Sequence, residues 1–167
     1  MNQTKNKFFY EFDEDSGSLT LYYAKQSDID SLVFPPNTKE LLILGDYIDK
    51  LIIPDGVTYV SADRLGLKEI HVPDSVKYLY VSDNFLTQLI LPSGVEKVEA
   101  NLNYLEDVRF RGQPDQIFSL ELEDNRLEDI DFNPPKTLEV FNIKKNRFQN
   151  YRPKIAKCIN QLLRGYC

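Results

Sequence analysis

Glu99 and Glu121 occupy equivalent places in a repeated pattern, and together with Glu123 they are the side chains best suited to chemistry. Paired carboxylates can exchange protons with a substrate or bind a cation. No accompanying histidine or serine nucleophile, glycine-rich phosphate loop or cluster of metal ligands is evident in the sequence. We therefore expect an acidic surface that faces solvent or a partner, with no catalytic residue, metal or cofactor. A small hydrolase or cation site at these glutamates is an alternative hypothesis.

Histidine and cysteine offer little further chemistry, since the chain has one histidine and two cysteines. His71 lies in an alternating Ile-His-Val segment, which predicts an exposed side chain. Cys158 and Cys167 are nine residues apart near the end of the sequence, a spacing typical neither of a zinc site nor of a disulfide framework. We expect one half-buried and one loose thiol, with a disulfide between them as the alternative.

Length and composition predict a single folded domain over residues 1–167. Apolar residues make up 42% of the sequence, and no apolar run reaches the roughly 18 residues of a membrane span. The first residues lack the apolar stretch and cleavage site of a secretory signal. We expect a cytoplasmic protein without membrane contact, in the cytoplasm of a host cell if it is exported or virus-encoded.

Charge is distributed unevenly along the sequence. The net charge is −6, but residues from Lys136 onward carry +7 and residues 1–135 carry −13. The acidic balance disfavours nucleic-acid binding, because nucleic acids attract basic surfaces. The contrast between the acidic body and the basic end favours weak self-association as one alternative, and with it a structural or self-assembling role.

The elements that must position the glutamates follow from an internal repeat. Apolar residues recur at fixed distances from an anchor position, and five such columns hold 34 apolar residues out of 35, with Thr38 as the exception. The anchors are 19 to 22 residues apart, at Ser27, Asp46, Leu65, Asn84, Asn103, Asn125 and Asn146. Such repeats stack into a solenoid whose short parallel strands follow one another about 4.8 Å apart. The short repeat leaves no room for a helix on the side of each turn that is opposite the strand.

This register assigns every side chain to the core or to the surface. In the first repeat it places Tyr22 and Ala24 in core columns and points Leu21 and Tyr23 outward, and it ends the last column at Tyr151. The anchor amides are predicted to be structural, because they can bond backbone groups where each strand bends away. The predicted ladder consists of Asn84, Asn103, Asn125 and Asn146.

The pattern resembles the leucine-rich repeat. Leu79-x-Val81-x-x-Asn84-x-Leu86 matches its L-x-L-x-x-N-x-L core, and Leu120 to Leu127 match it again. Segments such as Pro73-Asp74-Ser75-Val76 resemble the short bacterial repeats of LPX-type effectors and BspA-like surface proteins. The resemblance covers roughly residues 18–151 and implies a mostly β solenoid with a curved parallel sheet on its concave face. The chain departs from it in its 19-residue repeats and in Asp46 and Leu65 at anchor positions.

Both ends of the solenoid need a cover, because an open coil exposes its core. Residues 1–18 are expected to form an N-terminal cap hairpin, residues 19–151 about seven repeats, and residues 152–167 a C-terminal helical cap. Pro153 suits a first helical turn, and Gly165 is a plausible end. The apolar face of this helix would consist of Ile155, Cys158, Ile159, Leu162 and Leu163.

Side chains between the core columns are expected on the concave face. Apolar and tyrosine residues have no folding reason to occupy such positions, so their clustering indicates an interaction surface. The expected partner-binding residues are Tyr23, Leu42, Leu44, Tyr59, Tyr78, Tyr80, Glu99, Glu121 and Glu123. The sequence therefore predicts a non-enzymatic module that captures or blocks a protein partner with a basic and apolar surface.

The repeat register can be tested at a single core position. Leu122→Asp should strongly lower the free energy of unfolding, because truncating a buried aliphatic side chain alone costs about 2–5 kcal/mol. Thermal and chemical denaturation measure the loss. An unchanged melting temperature would mean that the register is wrong.

Overall fold

Alternating apolar residues form short strands that pair along the stack of repeats. The computed structural model describes residues 8–45 and 47–163, with side chains up to residue 160. The strands are β1 (Phe9–Asp13), β2 (Ser18–Ala24), β3 (Glu40–Gly45), β4 (Lys50–Ile52), β5 (Tyr59–Ser61), β6 (Glu69–His71), β7 (Tyr78–Tyr80), β8 (Gln88–Pro92), β9 (Lys97–Glu99), β10 (Asp107–Arg111), β11 (Ser119–Glu121) and β12 (Val140–Asn142). The helices are α1 (Gln26–Ser31) and α2 (Pro153–Leu163).

Eight of these strands form one sheet in the order β1-β2-β3-β5-β7-β9-β11-β12. The β1–β2 pair is antiparallel, and every later pair in this sheet is parallel. Between visits to this sheet the chain forms a second wall of parallel pairs, β4 with β6 and β8 with β10. The predicted repeat solenoid is therefore confirmed, with about seven stacked turns.

The core lies between the two walls and is continuous along the stack. Val60, Leu79, Val98 and Leu120 on successive strands are fully buried and form one of its columns. Thr38, the polar exception in the pattern, is also buried, and its hydroxyl donates a hydrogen bond to the Pro35 carbonyl (2.7 Å). Within the described residues, every buried side-chain nitrogen and oxygen has a hydrogen-bond partner.

The predicted register of the first turn is wrong. Leu19 pairs with Leu41 and Leu21 with Ile43, so the first two turns are 22 residues apart in the sheet and not 19. Leu21 is fully buried, whereas Tyr22 pairs with Leu44 and is only half-buried. The reason is packing: both leucines enter the core when β2 starts earlier and its register shifts between Tyr22 and Ala24.

Two smaller expectations also differ from the structure. Tyr151, assigned to the last core column, is 46% exposed because the chain leaves the stack there to enter α2. The second side of the first turn contains the short helix α1, where extended backbone was expected. The anchor Asp46, the stop at Gly165, Cys167 and the side chains of Leu162 and Leu163 lie outside the described residues.

The anchor asparagines join each turn to the preceding one. Asn84 Nδ2 donates to the carbonyls of Ala62 (2.9 Å) and Val81 (3.0 Å), and its Oδ1 accepts the amides of Leu65 and Leu67, both at 3.0 Å. The equivalent bonds to a carbonyl of the preceding turn are Asn103 to Val81 (2.9 Å), Asn125 to Ala100 (2.9 Å) and Asn146 to Leu122 (2.8 Å). Each amide thus satisfies backbone groups that the bend would otherwise leave unpaired.

Leu65 shows what happens where the anchor lacks an amide. This leucine is buried, and the Ile48 amide of the preceding turn donates directly to its carbonyl (2.7 Å). Tyr47, immediately before Ile48, has a left-handed φ of 54°. The preceding turn therefore meets its hydrogen-bonding need with a rearranged backbone.

Replacing an anchor asparagine by leucine should separate hydrogen bonding from apolar packing. Asn84→Leu should lower the free energy of unfolding by more than about 2 kcal/mol, because each buried donor left without a partner costs about 1–3 kcal/mol. Asn150→Leu, at an exposed position, is the control. Equal stability of the two variants in urea denaturation would contradict the bridging role of the amide.

Candidate functional site

The solvent side of the eight-stranded sheet, called the sheet face below, consists of three rows of side chains that run across the strands. Strand pairing sets the first two rows, and the third follows two residues after the second. The first row is Ser18, Glu40, Tyr59, Tyr78, Lys97, Ser119 and Val140. The second row is Thr20, Leu42, Ser61, Tyr80, Glu99, Glu121 and Asn142. The third row is Tyr22, Leu44, Asp63, Ser82, Asn101, Glu123 and Lys144.

The predicted tyrosines come together in the middle of this face. The ring of Tyr59 lies 5.3 Å from that of Tyr80 and 6.4 Å from that of Tyr78, measured between centroids. All three side chains are half-buried, and the Tyr78 hydroxyl donates to Glu96 (2.8 Å). Burial raises the pKa of Tyr59, and the nearby Tyr80 and Glu40 raise it further. These rings form one aromatic cluster whose members support each other.

A second aromatic pair extends the face toward β1 and was missed by the sequence analysis. Phe9 pairs with Tyr22 across the β1–β2 ladder, and their rings stack at 4.6 Å with 14° between planes. The Tyr22 hydroxyl donates to Glu11 (3.1 Å). The alternation of β1 could have indicated Phe9, but Tyr22 required the corrected register. The predicted Tyr23 is 48% exposed and has a left-handed φ of 55°. It lies where the register of β2 shifts between Tyr22 and Ala24, and therefore outside the three rows.

Apolar side chains link the two aromatic groups. Leu42 is half-buried in the second row, whereas Leu44 in the third row is 57% exposed. Beside Leu44 is an open groove of about 420 Å³. Its lining residues are Tyr22, Tyr23, Ile43, Leu44, Gly45, Asp63 and Arg64. The part of the sheet face from β1 to β7 is therefore rich in accessible apolar surface.

The predicted glutamates follow on the remaining strands. Glu99 and Glu121 are direct neighbours on β9 and β11. Glu99 pairs with Lys97 (2.7 Å), whose ammonium also lies 5.2 Å from the centre of the Tyr80 ring. In the described part of the chain, Glu121 forms no ion pair.

Glu123 is held more firmly than Glu121. It accepts from Lys145 (2.9 Å) and from the Asn142 amide (2.9 Å). The Lys145 hydrogen bond, followed by that of Asn142, lowers the pKa of Glu123. This carboxylate therefore stays ionised in a fixed position at the basic end of the face.

Asp63 in the third row is a titratable site that the sequence analysis did not single out. Desolvation raises its pKa, and the charge of Glu99 adds to the effect, although the hydrogen bond from the Ser82 amide (2.6 Å) opposes it. A carboxylate beside aromatic and apolar groups is a suitable contact for a cation of a partner.

Part of the basic C-terminal region contacts the acidic body of its own chain. Arg152 binds both Asp129 and Asp131, with the Asp131 contact at 2.8 Å, and Lys154 donates to the Asn133 side chain (2.7 Å). The Arg152 hydrogen bond lowers the pKa of Asp129. These cations are therefore already engaged within the chain.

The remaining candidate groups lie apart from the sheet face. His71 is exposed on β6, and Cys158 is buried in α2. Across residues 8–45 and 47–163, no three His, Cys, Asp or Glu side chains converge as metal ligands would. Neither helix found there has the length and apolar character to cross a bilayer. No protein-family model matches the sequence, and no curated protein matches it.

The raised pKa of Asp63 predicts a pH-dependent stability. A carboxyl whose folded pKa exceeds its ordinary 3.8 favours the folded state when protonated, so its ionisation lowers stability as pH rises above that value. Asp63→Asn should therefore raise the melting temperature at pH 7, and the gain should shrink as pH falls toward about 3. Asp115→Asn, in an exposed turn, controls for the loss of one negative charge. A gain that is the same at both pH values would contradict the assignment.

Proposed function

We propose that the chain is a leucine-rich-repeat-type binding module whose sheet face is concave and captures a protein partner. The asparagine bridges, the three-residue parallel strands and the L-x-L-x-x-N-x-L match support this class. In this proposal the β1–β2 hairpin and α2 are the caps of the stack. The partner is held without chemical change, so the module is not an enzyme.

The observation that carries the proposal is the concentration of apolar and aromatic side chains on the sheet face from β1 to β7. Leu44 is 57% exposed and Phe9 is 47% exposed, although both lie on ordered strands. The buried core of the stacked turns includes neither side chain, so Leu44 and Phe9 contribute little to its packing. Accessible apolar surface of this kind marks interaction sites, and tyrosine is enriched among the residues that dominate binding energies.

The acidic residues of the sheet face indicate which charges the partner should present. Glu99 lies next to Tyr80 on β9, with Glu121 beyond it on β11. Asp63 lies beside Leu44, and Glu40 lies in the first row beside Tyr59. Complementary charge speeds the encounter of two proteins and selects among partners. The partner should therefore present an apolar patch next to lysine or arginine side chains.

Leu44 is a better test position than the central tyrosines. Tyr78 and Tyr80 are half-buried and packed on Tyr59, so truncating them would disturb the sheet face itself. Leu44 has a matched control in Ile52, which is equally exposed at 57% but lies on β4 of the second wall. Serine at either position removes the same kind of apolar surface.

We expect Leu44→Ser to weaken partner binding by at least about fivefold, and Ile52→Ser to leave it unchanged. Partners are captured on the immobilised protein from extracts of source or host cells, identified by mass spectrometry, purified and titrated by calorimetry. The melting temperatures of both variants should stay close to that of the wild type. Binding should weaken as salt rises.

Three outcomes would contradict the proposal. Leu44→Ser could bind the purified partner as tightly as the wild type. Ile52→Ser could cause the same loss. Binding could also be insensitive to salt, which would mean that the acidic residues do not take part in the interface.

A further inference from the structure

A line of planar side chains follows the anchor positions along one edge of the solenoid, outside the sheet face. Phe85 and Tyr104 come directly after Asn84 and Asn103, and their rings stack at 5.8 Å with only 7° between planes. The guanidinium of Arg126, which follows Asn125, lies 4.3 Å from the centre of the Tyr104 ring. Three successive turns thus contribute three stacked planar groups.

The stack is interrupted where the next planar group would be expected. Gly66 follows the anchor Leu65 and has no side chain, and beyond it Tyr47 is 81% exposed. A carbon added at the Cβ position of Gly66 would lie 3.5 Å from Tyr47 Cδ1 and 3.8 Å from Phe85 Cε2. Both distances are ordinary van der Waals contacts, so an atom at this position would touch both aromatic side chains.

The gap is a small cavity of about 260 Å³ that is open to solvent on one side. Its lining residues are Tyr47, Arg64, Leu65, Gly66, Asp83 and Phe85. Arg64 and Asp83 form an ion pair at this cavity (Nε to Oδ2, 3.3 Å) and offer both a donor and an acceptor. None of the six residues belongs to the three rows of the sheet face.

We propose that this cavity, the stacking slot, binds one aromatic side chain of a protein partner between Tyr47 and Phe85. The inserted ring continues the line of Phe85, Tyr104 and Arg126 and contacts a ring on each side. Gly66 serves this arrangement because any side chain there would occupy the slot, and its φ of 78° also disfavours other residues.

Size and charge select an aromatic side chain over other planar ligands. Small-molecule pockets usually enclose about 300–1,000 Å³, so this cavity suits a single side chain better than a whole ligand. A nucleobase would bring phosphates to a chain of net charge −6, with Asp83 at the slot itself. A single aromatic side chain is small enough for the cavity and brings no phosphate to the acidic chain.

The test is a titration of the ¹⁵N-labelled full chain, observed by two-dimensional NMR. The probe is N-acetyl-tyrosinamide, N-acetyl-leucinamide is the non-aromatic control, and adenosine monophosphate represents nucleotides. We expect tyrosinamide to shift the amide signals of Gly66 and Asp83 saturably through its ring current, whereas the other two compounds do not.

Two variants locate the binding. Tyr47→Ala should weaken tyrosinamide binding at least about threefold, because one of the two flanking rings is lost. Tyr151→Ala, which removes a tyrosine that is 46% exposed elsewhere, should leave binding unchanged. The exposed position of Tyr47 means that both variants should melt close to the wild type.

Several results would overturn the proposal. One is the absence of shifts at Gly66 and Asp83 up to the solubility limit of the probe, and another is an equal response to leucinamide. Tighter binding of adenosine monophosphate would assign the slot to nucleotides. Shifts that depend on protein concentration alone would assign it to a second copy of the chain. Partner binding through Leu44 is measured separately, so failure here leaves the sheet-face proposal intact.

Discussion

From Asn84 onward the fold depends on the hydrogen bonds by which one asparagine amide joins a turn to the turn before it. A strand of three residues cannot satisfy the backbone where the chain bends away, and that bend is buried. Asn84 and the three asparagines after it supply both a donor and an acceptor at this point. Where Leu65 replaces the amide, the preceding turn changes its backbone instead.

This constraint divides the molecule into a fixed part and a variable part. The inward columns must stay apolar and the asparagine anchors must keep their amides, because neighbouring turns rely on both. The three outward rows carry no such requirement, and the chain uses them for an aromatic and apolar half and an acidic half. The edge that follows the anchors is equally unconstrained, which is why Phe85, Tyr104 and the gap at Gly66 can differ from turn to turn.

The middle of the candidate site could be predicted because it lies where the repeat is regular. Tyr59, Tyr78 and Tyr80 occupy rows set by a constant spacing of 19 residues. The alternation of core and surface residues was therefore enough to predict that they lie on the solvent side of the sheet. The first turn could not be predicted in this way. Its strand pairs with β1 as well as β3, and the two leucines Leu19 and Leu21 compete successfully for the core positions assigned to Tyr22 and Ala24.

Local sequence by itself determined the solenoid, the identity of the bridging asparagines and the side of most strands. These properties follow from the spacing of the repeats, which can be recognised from the sequence without knowledge of the three-dimensional structure. Tertiary structure alone decided the register of the first turn, the Phe9–Tyr22 stack, the Arg152 contacts with Asp129 and Asp131, and the slot between Tyr47 and Phe85. Each of these depends on residues from different turns or ends of the chain, and their distances are set by how the stack closes and bends.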